Sequence, residues 1–214
     1  MVLRQLKLID RINILFWEKM FKSQQDQLNK LSEGMADSKG HPAREDIEVL
    51  DVINNKIHKL LTSVLENTKS DRAYVYLYHN GGVSSSGLFF QRMTCISEVV
   101  SEGVLPVSDR SQNLHKSSYS NMCSSLKSTG KWFVSNTDDL RNQDNFLYEK
   151  ALCKHAESIY TVSLRNNYDS PIGFIGIDYC SVNYSVDESV ISKELKSSAT
   201  KISSLVDIKS EVES

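Results

Sequence analysis

Cysteine and proline are scarce in this sequence. Its 214 residues include only three prolines and four cysteines. The cysteines, which are Cys95, Cys123, Cys153 and Cys180, lie about 27 to 30 residues apart and form neither a CxxC pair nor a Cys/His spacing suited to zinc. These absences argue against a disulfide scaffold and a metal site. We predict reduced thiols, no bound metal and a cytoplasmic protein.

Long apolar runs and a strong net charge are also missing. The longest apolar run near the N-terminus covers residues 14–17, whereas a membrane-spanning helix needs about 20 residues. No small-residue cleavage site follows it. The formal net charge is -2 and the isoelectric point is about 6.2. We therefore predict no transmembrane helix, no signal peptide and no general nucleic-acid binding.

No catalytic motif is recognisable. The sequence contains no G-x-S-x-G elbow, and Asp138 and Asp139 stand in a turn-rich stretch where a capping or solvated role is typical. Gly173 and Gly176 lack the third glycine and the lysine that a phosphate-binding loop requires. The sequence therefore predicts a protein without enzymatic activity and with no catalytic residues.

The clearest structural signal is a long β-hairpin over residues 71–100. The run Tyr74-Val75-Tyr76-Leu77-Tyr78 is aromatic or aliphatic throughout, which is typical of a strand. The sequence His-Asn-Gly-Gly that follows predicts the end of this strand, with a positive φ at Gly81 or Gly82. A polar loop over residues 84–87 then leads into a second, longer strand.

Apolar residues at three- and four-residue steps predict three long helices, over residues 2–31, 44–69 and 187–209. A connector over residues 34–42 separates the first helix from the second. Residues 1–22 carry a local charge of +3. The apolar stripe of the first helix would be an association liability in water. We expect the three helices to form a homodimer. Packing of the first helix on its own domain, or peripheral contact with an anionic membrane, are the alternatives.

The remaining segments predict a loop-rich crossover followed by a second hairpin. The crossover covers residues 104–130 and includes a short helix over residues 118–127, capped by Gly130. A strand over Lys131–Val134 and a helix over residues 146–155 come next. The strand Ser158–Arg165 alternates as a half-buried strand should, and Asn-Asn-x-Asp-Ser turns it into Pro171–Tyr179.

This order predicts an α+β fold with one mainly antiparallel sheet and flanking helices, preceded by the N-terminal amphipathic helix. The domain organisation follows from the glycine-rich connector. Residues 1–43 form the N-terminal helix and connector, and residues 44–214 form the globular domain.

The segments RAYVYLYHNGG and SPIGFIGIDY, with the helices around them, resemble a GAF-type domain over residues 44–208. The resemblance implies a PAS-like sensory fold that holds a small ligand between sheet and crossover. GAF domains bind cyclic nucleotides, tetrapyrroles, amino-acid derivatives or nothing, so the cofactor stays unknown. A ligand at this place would meet a set of aromatic and polar side chains. They are His79, Asn80, Phe90, Tyr119, Trp132 and Phe146.

Two further functions remain open as alternatives. The segment VSEGVLPVS resembles the globular domain of the T-type holin of large tailed phages, a family with a membrane-spanning segment that this chain does not show. This resemblance implies a phage protein, and a ligand-free structural or interaction role in lysis or host takeover. Some GAF-type proteins instead reduce methionine sulfoxide with clustered cysteines, and Cys95 and Cys123 would then face a pocket, although no third cysteine lies close upstream of Cys123.

Overall fold

Two long helices lie at the ends of the part of the chain that the structure describes. A computed structural model describes residues 44–83, 89–181 and 187–212. Helix α1 covers Arg44–Thr68 and helix α4 covers Glu188–Val212. Both predicted helices are confirmed. The predicted helix over residues 2–31, the connector over residues 34–42 and the loop over residues 84–87 lie outside the described residues.

The described residues contain six strands in one antiparallel sheet. The strands are β1 Arg72–Val83, β2 Phe89–Val100, β3 Leu114–His115, β4 Lys131–Val134, β5 Ser158–Arg165 and β6 Pro171–Tyr179. Their order in the sheet is β3-β2-β1-β6-β5-β4, and the hairpins β1–β2 and β5–β6 join side by side through the central pair β1–β6. The predicted α+β class with an antiparallel sheet is confirmed.

The first strand is longer than the sequence predicted. The expected stop at His79 is wrong, since β1 continues to Val83 and stays paired with β2. Gly81 and Gly82 lie at a register shift between Asn80 and Val83, and they do not end the strand. Gly82 has a φ of +104°, which confirms the predicted positive φ at this position.

The crossover between β2 and β4 contains short helical segments. Helix α2 covers Ser120–Thr129, and Gly130, with a φ of +77°, ends it in the left-handed conformation. The predicted short helix and its glycine cap are confirmed. After β4, helix α3 covers Asn145–Cys153, and the Asp144 side chain caps it by accepting a hydrogen bond of 3.1 Å from the Leu147 amide.

Strand β5 is buried on both faces, so the prediction of a half-buried strand is wrong. Its polar positions are occupied by small hydroxyl residues. The Thr161 hydroxyl donates a hydrogen bond of 2.9 Å to the Trp132 carbonyl, and this satisfies the group within the interior. Alternation of apolar and small polar residues therefore did not mark a solvent face here.

Apolar side chains cover both faces of the sheet. On the helix face, α1 and α4 pack through Ile57, Leu61, Ile191 and Leu195 against alternate residues of β1, β5 and β6. On the opposite side, here called the crossover face, residues of the crossover and of α3 pack on the sheet. The buried members of that cluster are Tyr74, Met93, Cys95, Met122, Leu126, Leu140, Leu147 and Phe174.

Candidate functional site

The tyrosines of β1 lie on the crossover face. Residues alternate between faces along a strand, so Tyr74, Tyr76 and Tyr78 belong to the crossover-face cluster, whereas Val75 and Leu77 pack on the helix side. The Tyr76 and Phe174 rings stack with centroids 4.8 Å apart and an angle of 10°. This stack occupies the middle of the face where the sequence predicts a ligand.

The cluster opens to solvent along one edge, here called the rim cluster and formed by Tyr78, Lys116, Tyr119, Cys123 and Phe146. The Tyr119 and Phe146 rings meet edge to face with centroids 5.1 Å apart. The Tyr78 hydroxyl donates a hydrogen bond of 3.8 Å to Cys123 Sγ, and the Lys116 ammonium lies 3.9 Å from the Tyr78 ring centre. Phe146 is 40% exposed. Aromatic surface and an ammonium group are thus presented together.

Burial sets the protonation state of this edge. Desolvation raises the pKa of Tyr119 to about 12, and it also raises the pKa of Tyr78. Both phenols are therefore neutral hydrogen-bond donors at neutral pH. Desolvation lowers the pKa of Lys116 below its ordinary value, although the Lys116 ammonium still donates a hydrogen bond of 2.8 Å to Gln91 Oε1.

The structure brings together two of the six predicted ligand-binding residues, Tyr119 and Phe146. Trp132 is partly buried and packs against the same crossover-face cluster. His79 lies on β1 next to Tyr78, and alternation places it on the other side of the sheet, where its Nε2 is 2.9 Å from Thr94 Oγ1.

The last two predicted residues lie farther along the first hairpin. Asn80 is exposed and pairs with Gln91 across the two strands, and Phe90 is 41% exposed. A single site formed by all six residues stays a prediction.

Sequence reasoning missed a group of buried charges at the other end of the crossover face. This group, here called the ionic cluster, contains Arg72, Glu98, Lys154 and Asp178. Asp178 Oδ2 lies 2.9 Å from Arg72 Nη1 and 3.0 Å from Lys154 Nζ, and the Tyr74 hydroxyl donates a hydrogen bond of 2.8 Å to Asp178 Oδ1. A charged residue inside the apolar stretch GFIGIDY was the signal available in the sequence.

The ionic cluster fastens the start of the crossover to the sheet. Glu98 Oε2 accepts hydrogen bonds of 2.8 Å and 2.7 Å from the amides of Val107 and Ser108, and Arg72 Nη2 donates one of 3.0 Å to the Leu105 carbonyl. Arg72 Nε lies 3.0 Å from Glu98 Oε1, which is an ion-pair distance. The two atoms are not aligned for a hydrogen bond.

The side chains of Arg72, Glu98 and Asp178 are 2%, 3% and 0% exposed. Because water is excluded, each of these charges is compensated by its ion-pair partner in the cluster. Burial lowers the pKa of Arg72, but Asp178 and Glu98 outweigh this and hold the pKa above its ordinary value. The guanidinium therefore remains charged within the cluster.

The two cysteines of the proposed redox alternative are poor thiolates. Burial raises the pKa of Cys95 to about 12, and burial also raises the pKa of Cys123. A nucleophilic thiol needs a lowered pKa. Both environments therefore disfavour a thiol-dependent reductase.

Within residues 44–83, 89–181 and 187–212, no group of three or more histidine, cysteine, aspartate or glutamate residues is arranged to hold a metal ion. In the same ranges, no helix has the length and apolar character that crossing a membrane requires.

Solved structures with a similar fold carry the GAF name. The GAF3 domain of Slr1393 from Synechocystis sp. PCC6803, in its photoproduct state, has a TM-score of 0.58 at 14% identity, covering 75% of this chain and 96% of that one. The blue-light absorbing form of the PixJ GAF domain from Thermosynechococcus elongatus has a TM-score of 0.57 at 12% identity, covering 77% and 92%.

A GAF domain region of a protein from Geobacter sulfurreducens PCA has a TM-score of 0.56 at 16% identity, covering 77% of this chain and 99% of that one. The predicted GAF-like fold is thereby confirmed. No protein-family model matches the sequence. No curated protein matches it either.

Proposed function

On the basis of this GAF-like fold, we propose that the chain is a non-catalytic sensory module that binds a small molecule at the rim cluster. The supporting observation is the edge-to-face pair of Tyr119 and Phe146, which leaves a large part of the Phe146 ring exposed. Lys116 lies over Tyr78, and the Lys150 ammonium is 5.5 Å from the Phe146 ring centre.

The chemistry of the rim cluster favours a planar, negatively charged ligand. Aromatic rings offer faces for stacking, and ammonium groups offer charge-assisted hydrogen bonds. Solved neighbours include a far-red cyanobacteriochrome photoreceptor, which supports a sensory role for the fold. Trp132, Asn80 and Phe90 remain proposed contacts, and they would require the hairpin and the crossover to approach the same ligand. A role for His79 stays a prediction, since strand alternation places it on the opposite face of the sheet from the rim cluster.

Native mass spectrometry of the freshly purified protein tests this proposal directly. A retained molecule would appear as added mass. Titration with nucleotides and cyclic nucleotides should then change the fluorescence of Trp132, measured with Trp17→Phe to isolate the signal. The absence of both added mass and a saturable fluorescence change would contradict ligand binding.

A matched pair of substitutions tests the location of the ligand. Phe146→Ala removes a ring that is 40% exposed, and we expect it to weaken binding about tenfold because one stacking contact is lost. Tyr168→Ala removes a ring that is 88% exposed and lies in the β5–β6 turn, so binding should not change. Equal affinity of both variants would place the ligand away from the rim cluster.

A ligand-free structural or interaction protein is the second candidate. The observation that favours it is the filled centre of the crossover face, where the Tyr76–Phe174 stack meets Met93 and Met122, which are 1% and 5% exposed. A ligand larger than the rim cluster would have to displace these side chains. A role in phage lysis or host takeover belongs to this candidate and stays a prediction.

We also propose that the protein is a homodimer paired through its helices. The sequence pattern over residues 2–31 supports this, because five large apolar side chains there need cover from water. The alternative contact of this segment with an anionic membrane and the cytoplasmic location stay predictions. The division into residues 1–43 and 44–214 has the same standing.

A further inference from the structure

The surfaces of α1 and α4 form a groove that belongs to neither the rim cluster nor the ionic cluster. Its volume is about 600 Å³. Helix α1 contributes Lys56, Lys59 and Leu60 to the walls. Cavities of this volume are in the range that small organic molecules occupy.

The floor of the groove is apolar. Leu60 of α1 and Leu205 of α4 line it, and Thr200 and Ser204 complete the α4 wall. The two hydroxyl groups are already satisfied, because Thr200 donates to the Lys196 carbonyl and Ser204 donates to the Thr200 carbonyl, both at 3.1 Å. They therefore offer no free donor to a ligand, and the floor suits an alkyl chain.

The rim of the groove is positively charged. Lys56 and Lys59 stand on one wall and Lys201 on the other, and all three are exposed. Within the described part of the chain, none of the three ammonium groups has an ion pair or a hydrogen bond. The three charges are thus free to meet an anion, while their aliphatic stems extend the apolar floor.

We propose that this groove binds a single-chain anionic amphiphile, with a carboxylate or phosphate head among the lysines and an alkyl chain on the floor. The proposal goes beyond the ligand site proposed above and does not depend on it. It does require that the proposed homodimer pairs mainly through residues 2–31 and leaves this groove open. The apolar floor and the charged rim together favour a small anionic amphiphile.

Titration of the full-length protein with octanoate and decanoate, below the micelle-forming range, tests the proposal. Calorimetry should give saturable binding, and affinity should rise about two- to fourfold for each added methylene because more alkyl surface is buried. Decanol, which has the same chain without charge, should bind at least about tenfold more weakly.

The lysines are tested by charge reversal with a matched control. Lys56→Glu with Lys59→Glu should weaken decanoate binding at least about tenfold, since two attractions become repulsions. Lys193→Glu with Lys196→Glu makes the same charge change on exposed positions of α4 outside the groove, and should change affinity less than about twofold. All four lysines are exposed, so both variants should fold.

Several results would overturn the proposal. Absence of saturable decanoate binding would do so, whether the groove is empty or covered by a second copy, which light scattering would reveal as a dimeric mass. Equal weakening by both charge reversals would mean a bulk charge effect. Equal affinity for decanol would mean plain apolar adsorption, and binding only to anionic phospholipid vesicles would mean a membrane surface.

Discussion

Among the side chains of the crossover face, Cys95 combines deep burial with a titratable group. Burial raises its pKa from an ordinary value of 9.0 to about 12, so the folded protein holds this proton more tightly than the unfolded chain does. The stabilisation from the neutral thiol is complete below pH 9.0 and is lost as pH rises toward about 12. Tyr119 acts in the same direction, because burial raises its pKa from 10.0 to about 12.

We therefore expect Cys95→Ala to flatten the alkaline loss of stability. The free energy of unfolding, measured by urea titration at about pH 8 and about pH 11, should fall less in this variant than in the parent protein. Cys153→Ala removes an exposed thiol and should leave the fall unchanged. An identical fall in all three proteins would contradict the assigned environment of Cys95.

Gly173 and Gly82 are required for different physical reasons, close packing at the first and a positive φ at the second. A Cβ at Gly173 would collide with the Tyr76 carbonyl oxygen on the adjacent strand, whereas a Cβ at Gly82 would meet nothing within 4 Å and only the positive φ opposes it. We expect Gly173→Ala to lower the free energy of unfolding by about 2–3 kcal/mol through overpacking. Gly82→Ala should cost about 1–2 kcal/mol through backbone strain. Thermal and urea unfolding would measure both, and the reverse order would count against this account.

At the scale of secondary-structure elements, the crossover depends on the ionic cluster for its first attachment. Glu98→Gln removes the charge that faces Arg72 and weakens the acceptor of two crossover amides. Breaking a buried pair in this way typically costs about 3 kcal/mol or more. Hydrogen exchange at the Val107 and Ser108 amides should accelerate more than exchange in β5, because the loss is local.

An exposed ion pair provides the control for this substitution. Asp169 pairs with Arg165 at 3.3 Å, but its side chain is 86% exposed. Asp169→Asn should therefore change the free energy of unfolding by less than about 1 kcal/mol. If Glu98→Gln proved equally mild, the ionic cluster would not be what holds the start of the crossover.

The elements show which physical signals a sequence carries by itself. Helices α1 and α4 were predictable because a continuous apolar stripe requires a buried face, and Gly130 was predictable because a helix end favours a left-handed residue. The continuation of β1 past Asn80 was not, since it depends on pairing with β2 and not on local preference.

The candidate site was less predictable than the fold. Tyr119 and Phe146 could be grouped because the resemblance to a GAF-type domain implies a ligand between sheet and crossover, and their rings do meet. The ionic cluster joins Arg72 to Asp178 across 106 residues, and no local pattern records such a contact. The face on which His79 lies follows from strand alternation and pairing. It could not be predicted, because the sequence was expected to end the strand at His79.

At the scale of the whole molecule, the open question concerns assembly. We expect deletion of residues 1–40 to leave a folded protein and to convert a dimer into a monomer, since the apolar stripe over residues 2–31 would be removed. Light scattering gives the mass and circular dichroism checks folding. A full-length protein that is already monomeric and floats with anionic liposomes would favour a membrane contact. An unfolded truncated protein would show that the segment belongs to the core.

The central position of β1 also has a consequence for how the chain folds. The β1–β2 hairpin can form early from neighbouring residues, but β1 meets its other partner only when Arg72 pairs with Asp178, a separation of 106 residues. Contacts between such distant residues close large loops and slow the search for the native state. During synthesis, the edge of β1 that later pairs with β6 therefore stays unpaired until the last hairpin leaves the ribosome. An unpaired strand edge favours misassembly during this interval.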